Sequence, residues 1–289
     1  MYRRPNILYI MSDDHAANAI SVYKSRLASV FKTPNLDRIA NEGCLMENCH
    51  CTNAICTPSR ACILTGQYPH RTGVKTLADK LNPEFNTYPK ILQESGYQTA
   101  VFGKWHVHSE PQGFDDYCIL SGQGEYYDPQ LIKKGSAKWQ DSSEVVRDAR
   151  ETYPEGNIHK GYVSDIITDM CINWLEKRDQ SRPFMLMCHH KAPHDYFEYH
   201  PRDEHLFDGV EIPEPENLWE DKTHRSDGSR DFGTSVSDRN LRRNYIKKMT
   251  EPDYPTGQLD VTGMNSKERT KAAYEKYLKD YFYFITLSQ

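Results

Sequence analysis

The sequence has no apolar run that approaches the roughly 20 residues needed to cross a bilayer, so no membrane span is expected. Internal repeats and low-complexity tracts are absent, which excludes solenoid and linker architectures. A large excess of one charge is also missing. The 36 basic residues stand against 41 acidic ones, for a net charge of −5. That balance gives no general electrostatic reason to bind nucleic acid or anionic lipid, although a local anion site remains open. Paired Cys-x2-Cys knuckles are lacking too. Of eight cysteines, five lie between Cys44 and Cys62 with the spacing C-x4-C-x-C-x4-C-x5-C. This spacing argues against a structural zinc site. A chain of 289 residues can bury a core without disulfide support, so mostly free, buried thiols are expected. Nothing in the sequence sets an oligomeric state.

Hydrophobic residues make up 37% of the chain, charged residues 27% and aromatics 11%. These proportions fit a globular protein and exclude intrinsic disorder as the rule. The opening "MYRRPNILYIMSDDH" has basic residues followed by apolar ones, as a signal peptide does. Its apolar run covers only Ile7 to Met11 and ends in two aspartates rather than small residues. It therefore reads as a first strand. With Met1 as the native start, a cytoplasmic location is expected; removal of a leader would instead place the protein in the periplasm or outside the cell.

Further along, "TPNLDRIANEG" reads as a helix, with Thr33 as cap, Pro34 at the first position, Leu36, Ile39 and Ala40 on one face and Gly43 as stop. "PKILQESG" is a second short helix, and "YQTAVFGKWH" a strand. The span from about Gly113 to Gly156 is rich in Tyr, Gly and Asp with weak periodicity, which predicts a long excursion beside a site or on the surface. "YVSDIITDMCINWLEKR" is the strongest amphipathic helix pattern, and "PFMLMCHH" a buried strand. Residues from about Pro213 to Gly257 predict long loops, and "SKERTKAAYEKYLKDYFYFI" a final helix. Strands alternating with helices predict an α/β fold, a mostly parallel sheet sandwiched by helices.

Three strand ends are loaded with chemistry: Asp13-Asp14-His15, Lys104-Trp105-His106, and His189-His190-Lys191 running to His194. Open α/β sheets place ligand sites beyond the carboxyl ends of their strands. Adjacent carboxylates suit a hard divalent cation, and the lysines and histidines suit an anionic substrate. "HHKAPH" is not a zincin helix, because Pro193 interrupts it and no Glu follows the first His. In "CTNAICTPSRACILTG", Pro58 favours a helix start and Gly66 a helix end. Cys56 then lies at a helix mouth that attracts anions, with Arg60 one turn along. The spacing Cys56 to Arg60 is Cys-x3-Arg, not the Cys-x5-Arg of a tyrosine-phosphatase loop.

Cys56-Thr57-Pro58-Ser59-Arg60, extended by "ACILTGQYPHRTGV", resembles the signature of the type I sulfatases. "NILYIMSDDH", "TPNLDRIANEG", "GKWH" and "KAPH" resemble the same family in the same order, over most of the stretch from Asn6 to about Trp219. The resemblance implies an alkaline-phosphatase-like fold. It implies that a maturation enzyme oxidises Cys56 to formylglycine, whose hydrate attacks a sulfate ester and then expels sulfate. It also implies that Asp13, Asp14 and modified Cys56 hold calcium, with magnesium as the alternative. Arg60 and Lys104 would hold the hydrate and the sulfate oxygens. His106 would take a proton from the second hydroxyl, and His194 would serve the leaving-group oxygen. His108 and Lys191 are candidate substrate contacts.

Type I sulfatases complete the metal site with a later Asp and a neighbouring Asn, Gln or His, after a helix like "KAAYEKYLKDYFYFI". Residues 1–289 therefore resemble an N-terminal α/β catalytic portion without the C-terminal subdomain, for which weak or no turnover is expected. The alternatives are a silent fragment that binds sulfated glycans and a phosphatase of the same superfamily. "HPRDEHLFDGVEIPEPENLWED" resembles sulfatases of carbohydrate substrates, such as 6-sulfated N-acetylglucosamine.

Overall fold

The computed structural model describes residues 4–135, 157–195, 198–217, 224–227, 249–252, 254, 257–265, 268–269 and 271–276. These fall into two compact units. The first comprises residues 1–14 and 48–194, the second residues 15–47 and 195–289.

The first unit is built on a six-stranded sheet of order β1-β6-β2-β3-β4-β5. The strands are β1 (Ile7–Met11), β2 (Gln98–Lys104), β3 (Asp116–Leu120), β4 (Gln130–Lys133), β5 (Asn157–Ile158) and β6 (Phe184–His189). The β1–β6, β6–β2 and β2–β3 pairs are parallel, and the last two pairs are antiparallel. β2 and β6 are central and buried almost throughout, which is why they read as near-continuous apolar runs. Strands β3 and β4 lie inside the span expected to be an irregular excursion. The apolar pairs Ile119–Ile132 and Leu120–Leu131 face each other there, and the surrounding Gly and Asp mask their short pattern. Residues 136–156 lie outside the described residues.

Helices α2 (Cys56–Thr65), α3 (Pro69–Thr72), α4 (Tyr88–Glu94) and α5 (Val163–Lys177) belong to the same unit. One core joins Ala61 and Leu64 of α2 to Val101, Tyr117, Ile119, Met185 and Met187 of the sheet. α5 packs on β2 and β6, with Trp174 edge-on to Phe184, the centroids being 6.1 Å apart. Gly66 ends α2 at φ +65°, as its position predicts. Gly103 has a stricter role. A Cβ there would lie 2.0 Å from the His189 carbonyl oxygen, so only glycine lets β2 approach β6 at this point.

The second unit contains α1 (Pro34–Glu42) and a core of Ala19, Leu27, Phe31, Phe207 and Tyr274. Thr33 does not cap α1 with its side chain. Its hydroxyl accepts from Ser21 N at 2.9 Å and donates to Asp37 at 2.9 Å. The apolar face expected on α1 is only half covered, and Ile39 is exposed. Residues 271–276 are helical, at the start of the expected final helix, and residues 277–289 lie outside the described residues. Most of the span 213–257 does too.

All eight cysteines are free, but the expectation that most are buried is too simple. Cys62, Cys118, Cys171 and Cys188 are buried, Cys56 is half-buried, and Cys44, Cys49 and Cys51 are exposed. The last three precede α2 in a stretch that also leaves Met46 and Ile55 exposed. Among the described residues, no helix is long and apolar enough to cross a membrane.

Candidate active site

The site forms in the first unit, beyond the carboxyl ends of β1, β2 and β6 and at the N-terminus of α2. Cys56 is the first residue of α2, and no side chain caps that helix. The helix mouth therefore keeps free N–H groups and the positive end of the dipole. The Thr57 hydroxyl in the same turn is buried without a partner. The turn after β1 is anchored by Asp13 N donating to Ala192 O at 3.0 Å and His190 N donating to Met11 O at 2.8 Å. These bonds hold the ends of β1 and β6 together.

Asp13 is the electrostatic hub. Lys104 Nζ donates to its Oδ2, and Arg60 Nη2 lies 3.5 Å from the same oxygen. Cys56 Sγ is 3.6 Å from Asp13 Oδ1 and 3.8 Å from Lys104 Nζ. Burial alone would raise the Asp13 carboxyl, but Lys104, Arg60 and His194 together outweigh it and hold the group well below the usual carboxylate range. Asp13 is thus an anion framed by fully buried cations. Such a set remains in a protein interior only when its charges are paired.

His194 Nε2 faces Asp14 Oδ2 at 3.7 Å, and its backbone carbonyl accepts from the Tyr126 hydroxyl. Ligand atoms of Asp13, Cys56 and His194 lie within 4.8 Å of one another, close enough to share a cation. The Asp14 carboxylate is exposed and adopts φ +60°. The His106 ring is buried, with Nδ1 unpartnered. Burial, then Lys104, His108 and Arg60, push it down to about 2, so it is neutral. His108 lies with its ring 5.2 Å from that of His106 and its Nε2 2.8 Å from Leu77 O. Lys191 is buried, its ammonium 4.8 Å over the Tyr126 ring.

The structure thus brings Asp13, Cys56, Arg60, Lys104 and His194 into one cluster, with His106 in the same electrostatic neighbourhood. His108 and Lys191 have their own contacts on the Leu77 and Tyr126 sides. Two members of the site escape sequence reasoning. Gln123, in the turn after β3, accepts from Lys104 Nζ at 2.6 Å, and His189 lies beside Arg60. The histidine stood in a quoted cluster, but its alternation along β6 puts it on the Arg60 side only once the sheet is formed.

A mostly parallel α/β sheet, a helix mouth with free N–H groups, a buried carboxylate and two buried cations make a site suited to receive an anion. The sulfatase family model matches residues 5–260. A curated relative from Bacteroides thetaiotaomicron, N-acetylglucosamine-6-O-sulfatase, is 45% identical over 237 residues, 81% of this chain and 38% of that protein. Another from the same organism, N-acetylgalactosamine-6-O-sulfatase, is 38% identical over 120 residues, 40% of this chain and 23% of that protein. A solved structure described as a complex with its substrate D-glucosamine-2-N,6-O-disulfate is similar with a TM-score of 0.78 at 36% identity, covering 99% of this chain and 60% of that one. The chain belongs to the sulfatase family, and its fold is alkaline-phosphatase-like. It spans 38% and 23% of the two curated relatives and 60% of the solved chain. Membership implies a metal ion and formylglycine formation in general.

The residues fit both groups. Oxidation of Cys56 replaces Sγ with oxygen, so Sγ here marks the place of an oxygen ligand. The ligand atoms that lie together are those of Asp13, Cys56 and His194, and the exposed Asp14 carboxylate faces this group across His194.

Proposed function

We propose that this chain supplies the nucleophile-bearing part of a sulfatase active site that hydrolyses the 6-O-sulfate of N-acetylglucosamine or glucosamine units in a carbohydrate. In this reading residues 1–289 belong to the α/β catalytic domain, and a maturation enzyme converts Cys56 to formylglycine. The observation that carries the reading is the placing of Cys56 at the mouth of α2, 3.6 Å from Asp13 and 3.8 Å from Lys104. The substrate class is supported by the relative named N-acetylglucosamine-6-O-sulfatase and by the structure with a 6-O-sulfated glucosamine.

Asp13, Asp14 and the oxygen at position 56 would hold calcium, with magnesium as the alternative. When bound, the cation supplies positive charge that stabilises the nucleophilic oxygen and the sulfate. Lys104 and Arg60 balance the negative charge that grows on the sulfate oxygens, at donors already fixed before reaction. His106 is assigned to receive a proton from a hydroxyl at position 56, a role for which a bound sulfate beside Lys104 and Arg60 would offset part of what depresses its basicity. His194 Nε2 can pass a proton to the alcohol oxygen as the S–O bond breaks. Lys191 and His108 are assigned to substrate contact, and His108 has only Nδ1 left for that purpose. Comparing sulfate release from N-acetylglucosamine 6-sulfate with phosphate release from an aryl phosphate tests the reaction class. Release from the sulfate ester alone, at the weak level expected of residues 1–289, would support the reading, and preference for the phosphate would refute it.

A further inference from the structure

We propose that His189 is a positioning residue that orients Arg60 through the backbone carbonyl of Lys104, an acceptor the two side chains share. This deepens the sulfatase reading and rests on it.

The Lys104 carbonyl accepts from Arg60 Nη1, and His189 Nδ1 lies 3.1 Å from the same oxygen. A carbonyl can only accept, so Nδ1 must carry the proton. The 3.4 Å separation of Arg60 Nη1 and His189 Nδ1 is then that of two donors converging on one acceptor, not a bond between them. Both lone pairs of the Lys104 carbonyl are filled. Arg60 is thereby tied to the end of β2, and its guanidinium cannot turn without breaking the shared node; the Lys104 ammonium is held separately, by Asp13 and Gln123.

The remaining ring nitrogen, Nε2, is buried without a partner. An unsatisfied buried nitrogen is a cost that a residue filling space would not need to carry, since an apolar ring would fill the same volume. Burial first, and then Arg60, push the imidazole down to about 3, so it adds a donor without adding charge. The ring stands edge-on to Tyr9, with centroids 5.8 Å apart. The β2–β6 register pairs Gly103 with His189, and the missing side chain at Gly103 admits the His189 backbone. The dipeptide Gly103-Lys104 and His189 thus form one device. The glycine brings β6 close, and the imidazole holds the carbonyl that follows.

Three variants separate positioning from packing. His189→Phe keeps the ring and the Tyr9 contact but has no donor. His189→Asn keeps an amide N–H at the place of Nδ1. His189→Gln moves the amide towards the place of Nε2. In the matured protein, kcat/KM for a sulfated glucosamine should fall roughly tenfold or more in the Phe and Gln variants, as loss of such supporting partners does in other sites. The Asn variant should recover most of it. Crystal structures should show the Arg60–Lys104 carbonyl contact kept in the Asn variant and lost in the Phe variant. Activity of the Phe variant within twofold of the parent, or an Asn variant no better than Phe at equal melting temperature, would overturn the proposal. If Phe does not fold, the Asn–Gln comparison decides. Hydrolysis of a phosphate ester but of no sulfate ester would fail the functional reading, and in that case, or where turnover of residues 1–289 is too weak to compare, the Arg60–Lys104 contact in the variant structures still decides the role of His189.

Discussion

Replacing Gly103 with alanine tests how closely β2 and β6 meet beneath the site. Two costs add. Gly103 has φ +99°, and a residue with a Cβ pays about 1–2 kcal/mol for a left-handed backbone. The new Cβ would also lie 2.0 Å from His189 O, 2.9 Å from His189 C and 3.0 Å from Ile167 Cδ1. The first two are backbone atoms of a central strand and cannot swing aside, so overpacking adds roughly 1–3 kcal/mol or more. The sum is about 2–5 kcal/mol, or a loss of roughly 10 °C in melting temperature for a chain of this size. Gly66→Ala is the internal control. Gly66 has φ +65° with nothing within 4 Å of the added carbon, so it pays only the backbone cost of about 1 kcal/mol. Thermal melts followed by circular dichroism measure both variants. Equal losses for the two would refute the close approach of β2 to β6, and with it the basis for His189 reaching the Lys104 carbonyl.

Two further outcomes follow from the electrostatics and the donor set. His106 and His189 sit at about 2 and about 3 when folded, against an ordinary 6.5. The unfolded chain binds protons below that value which the folded chain refuses, so stability is full above pH 6.5 and falls as pH drops towards 3, by about 1 kcal/mol per pH unit for each ring. Asp13 adds its loss only below its ordinary 3.8. Denaturant midpoints between pH 7 and 4.5 should decline, and less steeply in His189→Asn; a flat profile would contradict the buried neutral rings. Chelation should abolish sulfate release and lower the melting temperature only slightly, because Lys104 and Arg60 already pair with Asp13. Calcium should restore activity better than magnesium. Full activity in chelator would remove the metal from the account.

Much of this was legible because each signal was local. The runs "ILYIM" and "FMLMCH" mark β1 and β6, Pro58 and Gly66 bracket α2, and the loaded strand ends mark the site. What escaped depends on non-local packing. β3 and β4 are only 5 and 4 residues long, too short to show a period amid Gly, Tyr and Asp, and they become strands by pairing with each other and with β2. Gln123 joins the site only because β3 lies beside β2 and brings its following turn to Lys104. His189 could not be separated from His190 by composition. The two point to opposite sides of β6, one meeting Arg60 and the other Cys188 at 3.4 Å. The cap at Thr33 failed as an expectation because Ser21, twelve residues earlier, engages its hydroxyl first.

The central claim is that position 56 acts as formylglycine on a 6-O-sulfated glucosamine. Its most direct test is the mass of the peptide containing Cys56, measured on the same preparations assayed for sulfate release from N-acetylglucosamine 6-sulfate. Sulfate release should rise in proportion to the formylglycine fraction and vanish in Cys56→Ala. Release that is independent of that fraction, or that persists in Cys56→Ala, would contradict the account.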